Sequence, residues 1–254
     1  MIYDLQKASI LKRISAYVLD VILLVVLVTG VALVLSSILG FNGWYQKVID
    51  GYDKYEKQFG ISLSIDENAY NALPEAEKAV YDAAYAALSK DTQMAQASNM
   101  LINLTLLIVT FSILLAYLGL EFAVPLLFGN GQTVGKRIFG IAVMKRNGVK
   151  INAITLFTRT VLGKFAVETM IPVLMILMMF VGVIGILGPV LVIGILLIQL
   201  AMVITSRTNS LIHDALAQTV TVDMASQMIF GSESELLDYK KRCHEEMVRN
   251  QPYM

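Results

Sequence analysis

The sequence predicts an all-α membrane protein, a bundle of four transmembrane helices with a small cytoplasmic β-hairpin and an extracytoplasmic helical insertion. Three observations carry that expectation. Apolar residues gather in blocks of bilayer-crossing length, the segments between the blocks carry opposite charge, and one basic segment contains a hairpin dipeptide. The 254 residues are 56% hydrophobic and 16% charged, with a mean hydropathy of +0.66. Soluble domains carry about 25% charged residues, so lipid is the solvent for part of this chain.

The first block runs from Ile14 to Leu39. It follows Lys12 and Arg13, as the core of a secretory signal would. It is far longer than the roughly 7–15 apolar residues of such a signal, and no small-residue cleavage site follows, so it stays as a helix. The second block, about Leu101–Phe128, has the same single-span length, since about 20 residues cross the hydrocarbon. The third, about Phe165–Thr205, is long enough for two spans. Gly182, Gly185, Gly188 and Pro189 sit at its middle, where a helix can reverse. The expected spans are therefore 14–39, 101–128, 165–184 and 189–205, the last two a hairpin. One long tilted helix or a kinked re-entrant segment is the alternative over 165–205.

Charge sets the orientation. Gly129–Lys164 holds seven basic residues and no acid, whereas Phe41–Asn99 holds nine acids against five lysines. The positive-inside rule places the first segment in the cytoplasm and the second outside. Lys7, Lys12 and Arg13 keep the N-terminus inside, and four spans return the C-terminal tail, 224–254, to the same side. The expected location is a plasma membrane, multi-pass, with both termini cytoplasmic.

Within the insertion 41–99, Pro74–Met94 reads as a helix, with Pro74 in the first turn and Glu75 and Glu77 at the positive end of its dipole. GYDKYEKQFG forms another short helix or a turn. The insertion is either a small helical cap on the span ends or, through Tyr52, Tyr55, Tyr70, Tyr81 and Tyr85, a binding surface. In the inner loop, IFGIAVMKRNGVKIN reads as two short strands joined at Asn147-Gly148. AITLFTRTVLGKF follows as an interfacial helix. GNGQTVGKR departs from a phosphate-binding loop because Arg137 stands where Ser or Thr is required. One cysteine and two histidines exclude a disulfide framework and a Cys/His zinc cluster, and nothing points to a cofactor. His213-Asp214 lacks the further histidines of a metal-dependent phosphohydrolase. A formal net charge of zero gives no ground for a nucleic-acid partner.

Ionisable groups inside spans cost about 2.5–3.5 kcal/mol each at mid-helix and are functional candidates. Arg13 stands at the cytoplasmic lip of the first span. Asp20 lies about 10 Å deeper on the same face, too far for a direct pair. Glu121 reaches a similar depth from the second span, with Tyr17 and Tyr117 one turn away from the two acids. Pro125 cannot donate to the Glu121 carbonyl, which leaves that oxygen free. These groups form a candidate site for a monovalent cation or a shared proton. Alternatively, Asp20 pairs with a basic group from the loop and Glu121 snorkels toward water. Glu168 lies close enough to the interface to need no role.

SILKRISAYVLDVILL, Gly135-Lys136, GIAVMKRNGVKI, Arg159 and SLIHDALAQTVTV resemble, in order and spacing, the RDD family of bacterial membrane proteins, named for an arginine and two aspartates. The likeness covers 9–223 apart from the long insertion. It implies Arg13, Asp20 and Asp214 as the family residues, with Gly135, Lys136, Arg159 and His213 in the matching motifs. It further implies an Arg13–Asp214 bridge at the inner face, for which Arg207 and His213 compete. Transport of poorly defined ligands, including sodium/proton exchange, is one implied role. A non-transporting accessory, regulatory or immunity subunit of a larger membrane complex is the other. The expected partners are the lipid bilayer and a second copy or larger complex. No enzymatic activity is implied.

Overall fold

The computed structural model describes residues 5–180 and 182–249. Val181, inside the span expected over 165–184, and the last five residues of the tail lie outside that set. Among the described residues four helices are long and apolar enough to cross a membrane: α1 (Ile10–Ile38), α5 (Thr92–Phe128), α7 (Ala153–Phe180) and α8 (Leu187–Thr205). α1 and α8 are apolar on the outside. Only Ala16 and Asp20 are buried in α1, and only Gly188 in α8. A water-soluble protein would bury those faces, so this inversion suits a lipid solvent.

The chain divides into two compact units, Thr29–Ser112 and the remainder. In the first, α2 (Phe41–Phe59) begins and ends at glycines in the left-handed conformation, Gly40 and Gly60. Next come α3 (Glu67–Ala72), whose N-cap Asp66 accepts from Ala69 N–H, and α4 (Glu75–Lys90). GYDKYEKQFG thus lies within a longer helix, and Pro74 is the residue just before α4. The helix expected to reach Met94 stops at Asp91. Its carboxylate accepts from the N–H groups of Gln93 (2.9 Å) and Met94 (3.3 Å), capping α5 instead. Tyr55, Leu63, Ala84, Leu88 and Met94 make this unit's own core.

In the second unit the hairpin expectation needs correcting. The turn exists: Gly148 N–H donates to the Lys145 carbonyl at 2.9 Å, and Met144 and Lys150 form an isolated bridge. The ladder, however, joins β1 (Ile141–Lys145) antiparallel to β2 (Thr219–Asp223), with Val143 opposite Thr221. Asn152 accepts from Thr155 N–H and starts α7 at once, leaving the near arm no length to pair. TVTVD, alternating and β-branched, supplies the longer partner. Both strands are buried on both faces, from Ile141 at 0% exposed to Thr221 at 5%.

Three short helices complete the fold: α6 (Val134–Ile138), α9 (Ile212–Leu216) and α10 (Glu233–Arg249), of which α10 is the longest. The interfacial helix expected before the third span is continuous with it, so α7 starts at Ala153. Arg159, Lys164 and Glu168 are therefore part of a membrane-length helix. After α7 the chain turns through Gly182 and Gly185, both at positive φ, and α8 packs back on α7. The two-helix reading of 165–205 matches this arrangement; a single helix does not.

Candidate functional site

Two stretches of wide, π-type helix face each other, Tyr117–Ala123 in α5 and Thr158–Met170 in α7. Pro125 explains the first. It cannot donate to Glu121, and the Val124 N–H bonds the Gly119 carbonyl five residues back. The Glu121 carbonyl is not left free: the Thr160 hydroxyl donates to it at 2.9 Å within the buried interior. The Glu121 carboxylate does not snorkel to water. It is buried and stands 2.5 Å from the Lys164 ammonium. The Tyr117 hydroxyl bonds Thr169 at 2.8 Å.

Asp20 finds its partners on the loop that precedes α6. The Thr133 hydroxyl donates to one carboxylate oxygen, and the Gly135 N–H to the other at 2.7 Å. These partners are neutral donors; among the described residues no basic side chain forms an ion pair with Asp20. Glycine is required at 135 because a Cβ there would run into the Ala16 carbonyl oxygen and lie 2.9 Å from Asp20 Oδ1. The glycine-rich loop that imitates a nucleotide motif thus lets a short helix dock against α1. Tyr17 is 63% exposed, although it lines the same cavity as Asp20 and Glu121.

The third cluster centres on Asp214, which is 1% exposed. Its Oδ1 lies 2.7 Å from Arg159 Nη1 and accepts from the Thr219 hydroxyl at 3.0 Å. Its Oδ2 has no hydrogen-bond partner among the described residues but lies 3.6 Å from His213 Nε2 and 3.8 Å from Arg13 Nη2. The Arg13–Asp214 approach is thus present, but Arg159 is the closer partner. The side chain of Arg207 makes no ion pair among the described residues; its backbone carbonyl accepts from Lys7. Glu168, to which no role was assigned, holds His213 twice: at the ring Nδ1 (2.8 Å) and the backbone N–H (2.9 Å). Gly163 permits this packing, since a Cβ would come 2.6 Å from the His213 Cβ.

Electrostatics follow from burial. Burial alone would raise the Asp214 carboxyl, but Arg159, His213 and Arg13 hold it down at about 2. Burial lowers His213, aided by Arg159 and opposed by Asp214 and Glu168. Lys136 is brought down to about 8, by burial first and by Lys164 next.

These groups line one cavity of about 480 Å³. Asp20 and Arg13 enter from α1, Glu121 and Tyr117 from α5, Lys136 from α6, and Arg159, Lys164 and Glu168 from α7. Gln199 enters from α8, and His213 and Asp214 from α9. Asp20 and Glu121 share this cavity, yet each is engaged by its own partner. Among the described residues no group of three or more His, Cys, Asp or Glu side chains is placed to hold a metal ion. Lys164 and Glu168 are not legible as site residues when the third span starts at Phe165, whereas Arg159 stands among the family-motif residues and is here the near partner of Asp214. The signal for Lys164 and Glu168 was present: no proline and only the single Gly163 separate Asn152 from the apolar run. No curated protein and no solved structure matches the chain. A model of the RDD family matches residues 7–218.

Proposed function

The chain belongs to the RDD family of membrane proteins, and from that premise we propose that it is a transporter coupling a small ion to proton movement through the charged cavity. The carrying observation is the convergence of four acids, four lysine and arginine cations and His213 on one cavity among membrane-length helices. Ionisable groups are costly there and persist where they serve an ion or proton path. Asp20 is the coupling carboxylate. Protonating it weakens the acceptor held by Thr133 and Gly135, which loosens α6 from α1 and changes the cavity's shape. The basic segment ahead of α7, 129–152, and both termini face the cytoplasm of a bacterial cell in this reading. Two copies assemble, because four spans enclose little space. The reading contains no catalytic step.

Reconstitution in liposomes tests it. Asp20→Asn abolishes flux while the protein still inserts; transport preserved in that variant overturns the proposal. A second reading has its own support, since Thr29–Ser112 folds around a separate core. The chain then serves as an accessory, regulatory or immunity subunit of a larger membrane complex. That reading expects a co-purifying partner whose yield falls when 41–99 is shortened. It fails if the purified chain alone moves ions.

A further inference from the structure

We infer that the cavity is a binding site for an anionic oxygen group, a phosphate or carboxylate, received between Arg13 and Lys136. This goes beyond the transport reading and holds whether or not anything is carried across. The formal charges lining the cavity cancel, four against four. What differs is how firmly each sign is already partnered.

Each acid has a short contact. Asp20 takes the Thr133 hydroxyl and Gly135 N–H, and Glu121 has Lys164 at 2.5 Å. Glu168 has His213 at 2.8 Å, and Asp214 has Arg159 at 2.7 Å. Two of the four cations are spent in those pairs. The other two are not. Arg13 reaches Asp214 only at 3.8 Å and the Thr208 carbonyl at 3.3 Å. Lys136 has the Thr133 hydroxyl at 3.3 Å and no acid within salt-bridge distance among the described residues. Gln199, a lone amide in an apolar helix, also faces the cavity and makes no hydrogen bond among the described residues. Apart from Asp214 Oδ2, which faces Arg13 at 3.8 Å, the spare hydrogen-bonding capacity among the described residues is therefore mainly that of donors, two of them charged. Charge-assisted bonds to phosphate or carboxylate oxygens are the interactions such donors make best.

Much of the remaining wall is apolar, with Thr169, Asn209 and Thr221 set in it. Ile14, Val21 and Leu24 of α1 and Ile195, Leu196 and Val203 of α8 line it. An acyl tail fits that wall, but a free anion needs only the charged end, so the shared chemistry is the anionic head. An anion entering a neutral cavity also favours uptake of a proton, which links its binding to pH. Lys136 faces Asp20 on α1, Glu121 on α5, and Lys164 and Arg159 on α7. Above pH 8 it loses its proton, and anion affinity falls.

The full chain in phosphatidylcholine nanodiscs tests this with two probes, radiolabelled inorganic phosphate and phosphatidylglycerol detected by native mass spectrometry. Binding of at least one is expected, reduced about tenfold or more by Lys136→Gln, restored by Lys136→Arg, and weaker at pH 9 than at pH 7. Retention of the lipid alone assigns the site to a headgroup; binding of both assigns it to a free anion. If the wild-type chain takes neither probe, or if Lys136→Gln binds as well as wild type, the inference is overturned. Anion binding without flux leaves this site standing and removes the transporter. Flux without anion binding does the reverse.

Discussion

In the unit Thr29–Ser112, Lys54 stands 3.5 Å from Asp91 with its side chain 63% exposed. In the other unit, Arg159 stands 2.7 Å from Asp214 with side chains 4% and 1% exposed. The two pairs use the same chemistry in opposite settings. The first unit puts tyrosine and leucine inside and charge outside, with Tyr55 and Leu88 in its core. The second puts Asp20, Glu121, Arg159 and Asp214 inside and leaves Ile, Leu and Val outside along α1 and α8. Water screens a surface pair until it contributes little. A desolvated pair becomes a constraint on geometry, because neither partner can be removed without stranding the other.

Three substitutions sharpen or break that contrast. Arg159→Gln strands Asp214 and is expected to cost about 3–5 kcal/mol, read as a fall in the thermal unfolding midpoint of the purified chain. An unchanged midpoint would show that Arg13 and His213 suffice for Asp214. Gly135→Ala forces a methyl against the Ala16 carbonyl oxygen and Asp20, with a loss of about 1–3 kcal/mol. Normal stability in that variant would mean that α6 does not need its close approach to α1. Lys54→Ala is expected to leave the midpoint where it was, since its partner is shared with the Tyr55 hydroxyl and the pair is solvated. A clear drop there would place the insertion's charges in the same class as the buried ones.

The Glu121 region shows how far local reasoning reaches. Pro125 pointed to a displaced carbonyl, and the helix is widened there. That the oxygen would be claimed by Thr160, 39 positions away, was not legible. Asp20 marked itself as a group in need of partners, and they came from 133 and 135, 113 and 115 positions on. Asn147-Gly148 marked a turn correctly, while the strand that pairs with β1 lay beyond the last long helix.

Composition along the chain was enough for the four long apolar helices, the separate character of the insertion and the two costly acids Asp20 and Glu121 inside spans. Each of these depends on a residue's own transfer energy and on its near neighbours. Which base meets which acid, where the ladder closes and which cations are left underused were settled only by tertiary packing. Those outcomes depend on distances between side chains far apart in sequence, and no local pattern encodes such distances.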